Sequence, residues 1–247
     1  MTTDVPPRPA RAGAIALLLA AALLASLYLS WRLLATADFL YPLWYDHAGI
    51  GAHIDRYGPQ NRYRSGFGET SRAERLAAFA AIGRAVRNDG RGLEALTYTD
   101  STGTSRTLLR PPEIVHLQDV ARLVTVLERA GLAACGLVVV TVAWFRRRRQ
   151  TLPPAGRLFG WTGLGVALAV GLVLLLGPRD VFYRFHLWVF PEGHQWFFYY
   201  QDSLMSTLMK APYLFGYIAA ALVALTLVLL AATLAVASRL TATPRPR

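Results

Sequence analysis

Arg146-Arg-Arg-Arg149-Gln-Thr-Leu-Pro-Pro-Ala-Gly-Arg157 separates two apolar runs, about Val124 to Phe145 and Leu158 to Gly177. Each run approaches the roughly 20 residues that a helix needs to cross a bilayer. Lys and Arg concentrated in a short loop between spans hold that loop on the cytoplasmic side. Two further apolar runs, Gly13 to Leu34 and Ala211 to Ala237, bring the expected spans to four. Arg8 and Arg11 precede the first, and Arg239, Arg245 and Arg247 follow the last. One topology satisfies all three basic segments: both termini inside, with regions 38–121 and 178–210 together on the opposite face. All five histidines, at 47, 53, 116, 186 and 194, fall in those two regions.

Composition agrees with a membrane protein. Hydrophobic residues make up 54% of the 247, and the mean hydropathy is positive. The net charge of +11 sits largely beside the apolar runs, where it sets orientation, so no nucleic-acid partner is read from it. Cys135 is the only cysteine and lies inside an apolar run, which rules out a disulfide within the chain. Ala35-Thr36-Ala37 has the form of a signal-peptidase site, but the run before it exceeds the roughly 7–15 residues of a signal core. An uncleaved span is expected there.

The plan read from these runs is a membrane α-helical fold with four transmembrane helices and a small mixed α/β extracytoplasmic cap between helices 1 and 2. Its segments are an N-terminus (1–12), a first span (13–34), the cap (35–111), a second span with projecting first turns (112–145) and the basic loop (146–157). A third span (158–177), an aromatic outer loop (178–202), a fourth span (203–237) and a cytoplasmic tail (238–247) follow. Within the cap, Ser71-x-x-Glu74 has the form of a capping box, and the helix it opens carries Phe79, Ile82 and Val86 and ends near Asn88-Asp-Gly90. Leu93–Thr99 and Thr104–Leu109 read as a hairpin turning at Asp100–Gly103.

The chemistry-bearing residues cluster at two places. His116, Asp119 and Val120, at i, i+3 and i+4 near the head of the second span, share one face of the helix, with Glu113 a turn earlier. A carboxylate at i+3 can orient an imidazole and choose its free nitrogen, so Asp119 is expected to support His116. Glu113 is expected to favour the positive end of its own helix. The outer loop from Pro178 to Asp202 is dense in aromatic residues, as suits the headgroup region, with Trp188, Phe190 and Trp196 as candidate lipid or substrate contacts. His186 lies among them, Asp202 is expected to cap the last span, and His194 reads as a structural residue, with a place as the second histidine of the pair only a weak alternative. An isolated interfacial histidine is more often structural than catalytic; two on one side of a membrane carry more weight. Without an HExxH pair or a cysteine cluster, no metal site is assigned, and no cofactor is called for. No Gly-rich phosphate loop and no G-x-S-x-G elbow is present.

Glu113-x-x-His116-Leu-x-Asp119-Val120, followed by Phe185-His186-x-x-x-Phe190-Pro-x-Gly193-x-x-Trp196-Phe197 and Asp202-Ser-Leu-Met205, resembles the bacterial lipoprotein intramolecular transacylases. The four-span plan with an outer cap is similar as well. The resemblance implies an enzyme of the bacterial cytoplasmic membrane whose partners are diacylated lipoproteins and membrane lipids. It also implies that two histidines, here His116 and His186, move an acyl chain from the glyceryl sn-2 oxygen to the α-amine of the N-terminal cysteine, leaving a lyso-form lipoprotein. Leu117 stands where the family commonly has methionine, and Ala211-Pro-Tyr213 lacks the family's acidic residue after the proline. A non-enzymatic membrane scaffold or envelope-assembly protein of the same fold is the alternative.

Overall fold

The computed structural model describes residues 8–242. Its first helices are α1 (Arg8–Thr36), α2 (Tyr41–His47), α3 (Ile50–Tyr57) and α4 (Arg72–Val86). Strands β1 (Thr97–Thr99) and β2 (Ser105–Thr107) come next, then α5 (Pro111–Arg147) and α6 (Ala155–Leu176). The chain continues through α7 (Pro178–Val189) and α8 (Leu204–Met209) to α9 (Tyr213–Thr241). Helices α1, α5, α6 and α9 are long and apolar enough to cross a membrane, as the hydropathy runs predict. The chain divides into two compact units.

The first unit contains the described residues up to Leu33, Leu127–Leu175 and those from Ala221 onward. Its core joins Leu18 and Ala22 of α1, Val142 and Phe145 of α5, Leu158 of α6, and Leu230 and Leu234 of α9. The segment after the four arginines is tied at both sides. Arg11 donates to the Thr151 carbonyl at 2.9 Å, while Thr241 Oγ1 accepts from the Leu152 amide and Ser238 donates to the Pro153 carbonyl. The start of α1, the basic loop and the end of α9 thus gather at one end of this unit, as a shared compartment requires. Arg245 and Arg247 lie outside the described residues. Glu128 pairs with Arg32 at 3.2 Å.

The second unit contains Leu34–Val126 and Leu176–Ala220. The two regions expected on one face of the membrane therefore pack together, and all five histidines are in them. The capping box at Ser71 and Glu74 is formed in full. The hairpin pairs Thr97 with Thr107 and Thr99 with Ser105, its turn built on Asp100, whose carboxylate accepts from the amides of Thr102 and Thr104. Buried Arg75 binds the Tyr45 hydroxyl, the Asp55 carboxylate and the Gly68 carbonyl, joining α4 to α2, α3 and the segment between.

Three expectations are corrected here. The stretch 178–202 is not a loop throughout: Pro178–Val189 is a helix. Gly177, at φ +87°, breaks the chain after α6, and Pro178 starts the new helix at a position where its missing amide costs nothing. The fourth span does not run unbroken from 203. Lys210, at φ +43°, ends α8, and Pro212 cannot donate an amide, so the long helix begins at Tyr213. Asp202 caps no helix; it pairs with Arg62, and Ser203 caps α8 by accepting from the Ser206 amide.

Gly131 of α5 lies against the Tyr28 side chain of α1 with no room for a Cβ. Alanine gains about 1 kcal/mol over glycine in a helix interior, whereas overpacking costs about 1–3 kcal/mol. The overlap therefore decides the sign: Gly131→Ala lowers the melting temperature in detergent. Gly136→Ala, whose Cβ meets open space, does not.

Candidate functional site

The first turns of α5 bury an unusually polar face. Glu113, His116 and Asp119 are all buried, beside Leu117 and Ala121. Burying such groups is unfavourable unless each finds a partner. Glu113, with no exposed surface, finds three. Its carboxylate accepts from the Arg110 amide at 2.7 Å, closing the start of its own helix, and from the Ser203 hydroxyl at 2.6 Å and the Met205 amide at 3.1 Å. It therefore serves two helix starts, α5 and α8, rather than one.

His116 and His186 come together. Their ring centroids are 6.0 Å apart, and each residue is 8% exposed. Phe190 lies against both, 5.0 Å from His116 and 5.1 Å from His186. Trp196 stands 4.8 Å from His186, and Phe198 flanks His116 at 6.2 Å. Trp188 does not join them. At 91% exposure it occupies the outer side of α7, away from buried His186, so the aromatic stretch divides between the pocket and the surface.

The tautomer of His186 follows from its partner. Nδ1 lies 2.7 Å from the carbonyl of Phe182, one turn earlier in α7. A carbonyl only accepts, so Nδ1 carries the hydrogen and the neutral ring keeps its lone pair on Nε2. Burial pushes the pKa of His186 below its ordinary value of 6.5, against the opposing pull of the Phe182 carbonyl. The ring is neutral at pH 7 and can act as a base through Nε2.

Asp119 does not orient His116 by a hydrogen bond, as the i+3 spacing suggested. Its carboxylate takes His194 Nδ1 at 2.6 Å and the Arg122 guanidinium instead. His194 reaches it from a turn in which Pro191 accepts the His194 amide at 3.2 Å and Gly193 adopts φ +84°. Pro191-Glu-Gly-His194 is a turn signature, with glycine where positive φ is required, and it was the available signal for this residue. Its partner, 75 positions away, had none.

Among the described residues no three His, Cys, Asp or Glu side chains form a metal-holding group. The groove between α5 and α9 in the first unit is lined by Val138, Val142, Val236 and Leu240 with Arg146 and Arg147. It offers lipid contact but no acid–base group.

Glu113→Ala removes the acceptor of three buried donors and is expected to cost about 3–5 kcal/mol. Glu113→Gln, which keeps one carbonyl oxygen, costs less. Thermal unfolding of the purified variants in detergent measures both; equal melting temperatures for Glu113→Ala and the unaltered protein contradict the clamp.

No curated protein and no solved structure matches the chain. The resemblance carried by Glu113–Val120 and Phe185–Met205 is nonetheless borne out: residues 95–213, which include the histidines at 116, 186 and 194, match the family model of the lipoprotein intramolecular transacylase, Lit.

Proposed function

We propose that this protein is a membrane acyltransferase that moves the sn-2 acyl chain of a diacylglyceryl lipoprotein to the α-amine of its N-terminal cysteine. The observation that carries the reading is the buried pair of imidazoles, 6.0 Å apart in an aromatic pocket, inside the stretch that matches the lipoprotein transacylase family. The substrate brings its own nucleophile, so the protein must supply a base for the ammonium, a donor for the tetrahedral oxyanion and an acid for the departing alkoxide. His186 is the base, since its free Nε2 holds a lone pair and its lowered pKa keeps the ring unprotonated at pH 7. His116 faces it and donates a hydrogen bond to the oxyanion, and the proton taken up at His186 Nε2 passes on to the departing glyceryl oxygen. Phe190, Phe198 and Trp196 exclude water, which would otherwise hydrolyse the ester, and give the acyl chain an apolar wall.

The same reading places the site on the outer side of the bacterial cytoplasmic membrane, with both termini inside. The gathering of the basic loop with the start of α1 and the end of α9 supports it, by the positive-inside rule.

Mass spectrometry of a lipoprotein from cells with and without this protein tests the reaction. An N-acylated, S-monoacylglyceryl cysteine appears with the unaltered chain and is lost with His116→Ala or His186→Ala; unchanged lipoproteins throughout would leave the scaffold reading. The pH profile gives a second check. Because the pKa of His186 is lowered, the base form persists at pH 6.5 and is lost only as pH falls through that lowered value. The limb that belongs to the protein therefore lies below pH 6.5, apart from the limb that the substrate's own α-ammonium sets at about 7.7–8.0, and a second limb of the protein at or above pH 7 contradicts His186 as the base.

A further inference from the structure

The groove between α5 and α9 has a volume of about 810 Å³ and ends in two cations. On α5, Val138, Val142 and Arg146 stand at i, i+4 and i+8, with Ala143 and Arg147 in the adjoining row, so the lining is a strip along the helix. On α9 it includes Ala232, Thr233 and Ala237, whose small side chains leave the furrow open. Val142 and Ala237 also belong to the packed core of this unit and form the floor, while Val139 and Leu240 on the margins are exposed.

Length and charge together define an occupant. From Val138 to Arg147 the helix rises about 14 Å, close to half of the roughly 30 Å hydrocarbon core of a bilayer. The apolar part of the groove therefore matches an acyl chain of one leaflet, with the arginines at headgroup depth. Glu128 is the one acidic side chain among the described residues of this unit. It pairs with Arg32 and stands about 27 Å along α5 from Arg146. Within these residues Arg146 and Arg147 have no carboxylate in reach, and both are exposed. A basic pocket between membrane helices is suited to a lipid phosphate, which guanidinium groups bind by charge-assisted hydrogen bonds.

We propose that this groove binds one anionic phospholipid, with an acyl chain between α5 and α9 and its phosphate on Arg146 and Arg147. The topology proposed above assigns that lipid to the cytoplasmic leaflet; the binding itself does not depend on the acyl-transfer reading. Arginines at a helix end also favour its dipole and fix topology. Arg148 and Arg149 share the topological role but lie outside the groove lining, so they supply a control of equal charge.

The full-length protein in a neutral detergent is titrated with dioleoyl phosphatidylglycerol or dioleoyl phosphatidylcholine, and retained lipid is counted by native mass spectrometry. One phosphatidylglycerol is expected to be held in preference to phosphatidylcholine. Glycerol phosphate, which lacks the chains, is not held. The pair Arg146→Gln and Arg147→Gln weakens phosphatidylglycerol binding about 30-fold, roughly a factor of five for each arginine, whereas Arg148→Gln with Arg149→Gln leaves it intact. Thr233→Leu fills the groove with both arginines in place and reduces binding of either lipid. Equal loss in the two arginine pairs means that the basic run attracts anionic lipid without a site, and overturns the proposal. Equal retention of the two lipids, or a Thr233→Leu protein that binds as before, overturns it as well. So does a dimer that Thr233→Leu dissociates, because the groove is then an interface between copies. A protein that holds phosphatidylglycerol in this way yet forms no N-acyl product fails only the acyl-transfer reading.

Discussion

The buried carboxylate of Glu113 is the interaction on which the second unit depends. Enclosed without exposed surface, it is tolerable only because three donors converge on it, one from the approach to α5 and two from the start of α8. It therefore fixes where residues 203–205 lie on α5. Six residues on, Asp119 holds His194 in the same way. Two pins on one side of a helix hold the connection from α7 to α8, and the aromatic residues between them, notably Trp196 and Phe198, have little choice but to close over the histidines. The pocket is thus a product of buried polar bonds as much as of apolar contact.

Such a design suits the proposed reaction, in which water must be kept away from an ester. Apolar side chains alone can repack around a lipid chain in several ways, whereas a carboxylate that needs particular donors admits few arrangements. The cap uses the same device at Arg75, whose buried guanidinium ties the Tyr45 hydroxyl, the Asp55 carboxylate and the Gly68 carbonyl into one network. Tyr41 of α2 then reaches the Leu208 carbonyl of α8, and Lys210 reaches the Ala48 carbonyl, so the arrangement set at Arg75 is passed to the elements beside the histidines.

Much of this was legible in the sequence where the physics is local. The four long helices follow from hydropathy, the cap helix from Ser71 and Glu74, and the hairpin from the turn residues at 100–103. The break before α7 was legible at Gly177-Pro178 but was masked by the aromatic density of Phe182–Tyr200, which describes a surface as readily as a helix. The division of α8 from α9 turns on Lys210 adopting positive φ, which no property of lysine foretells. The meeting of His116 with His186 could be proposed from paired motifs, yet Asp119 shows the limit of spacing. Its neighbour at i−3 was the expected partner, and a histidine 75 residues away won, because the turn at Gly193 brings that ring to the carboxylate. Contacts of this kind are set by the packed chain and leave no periodic trace.

The bond between His186 Nδ1 and the Phe182 carbonyl stays within one helix, four residues apart. Its geometry does not depend on whether any neighbouring element has moved to admit or release a lipid. A ring so held can gain and lose a proton at Nε2 and come back to the same tautomer every time. In the proposed acyl transfer, where a bulky lipid chain enters and leaves the pocket, this returns His186 to its resting tautomer without help from the surrounding walls.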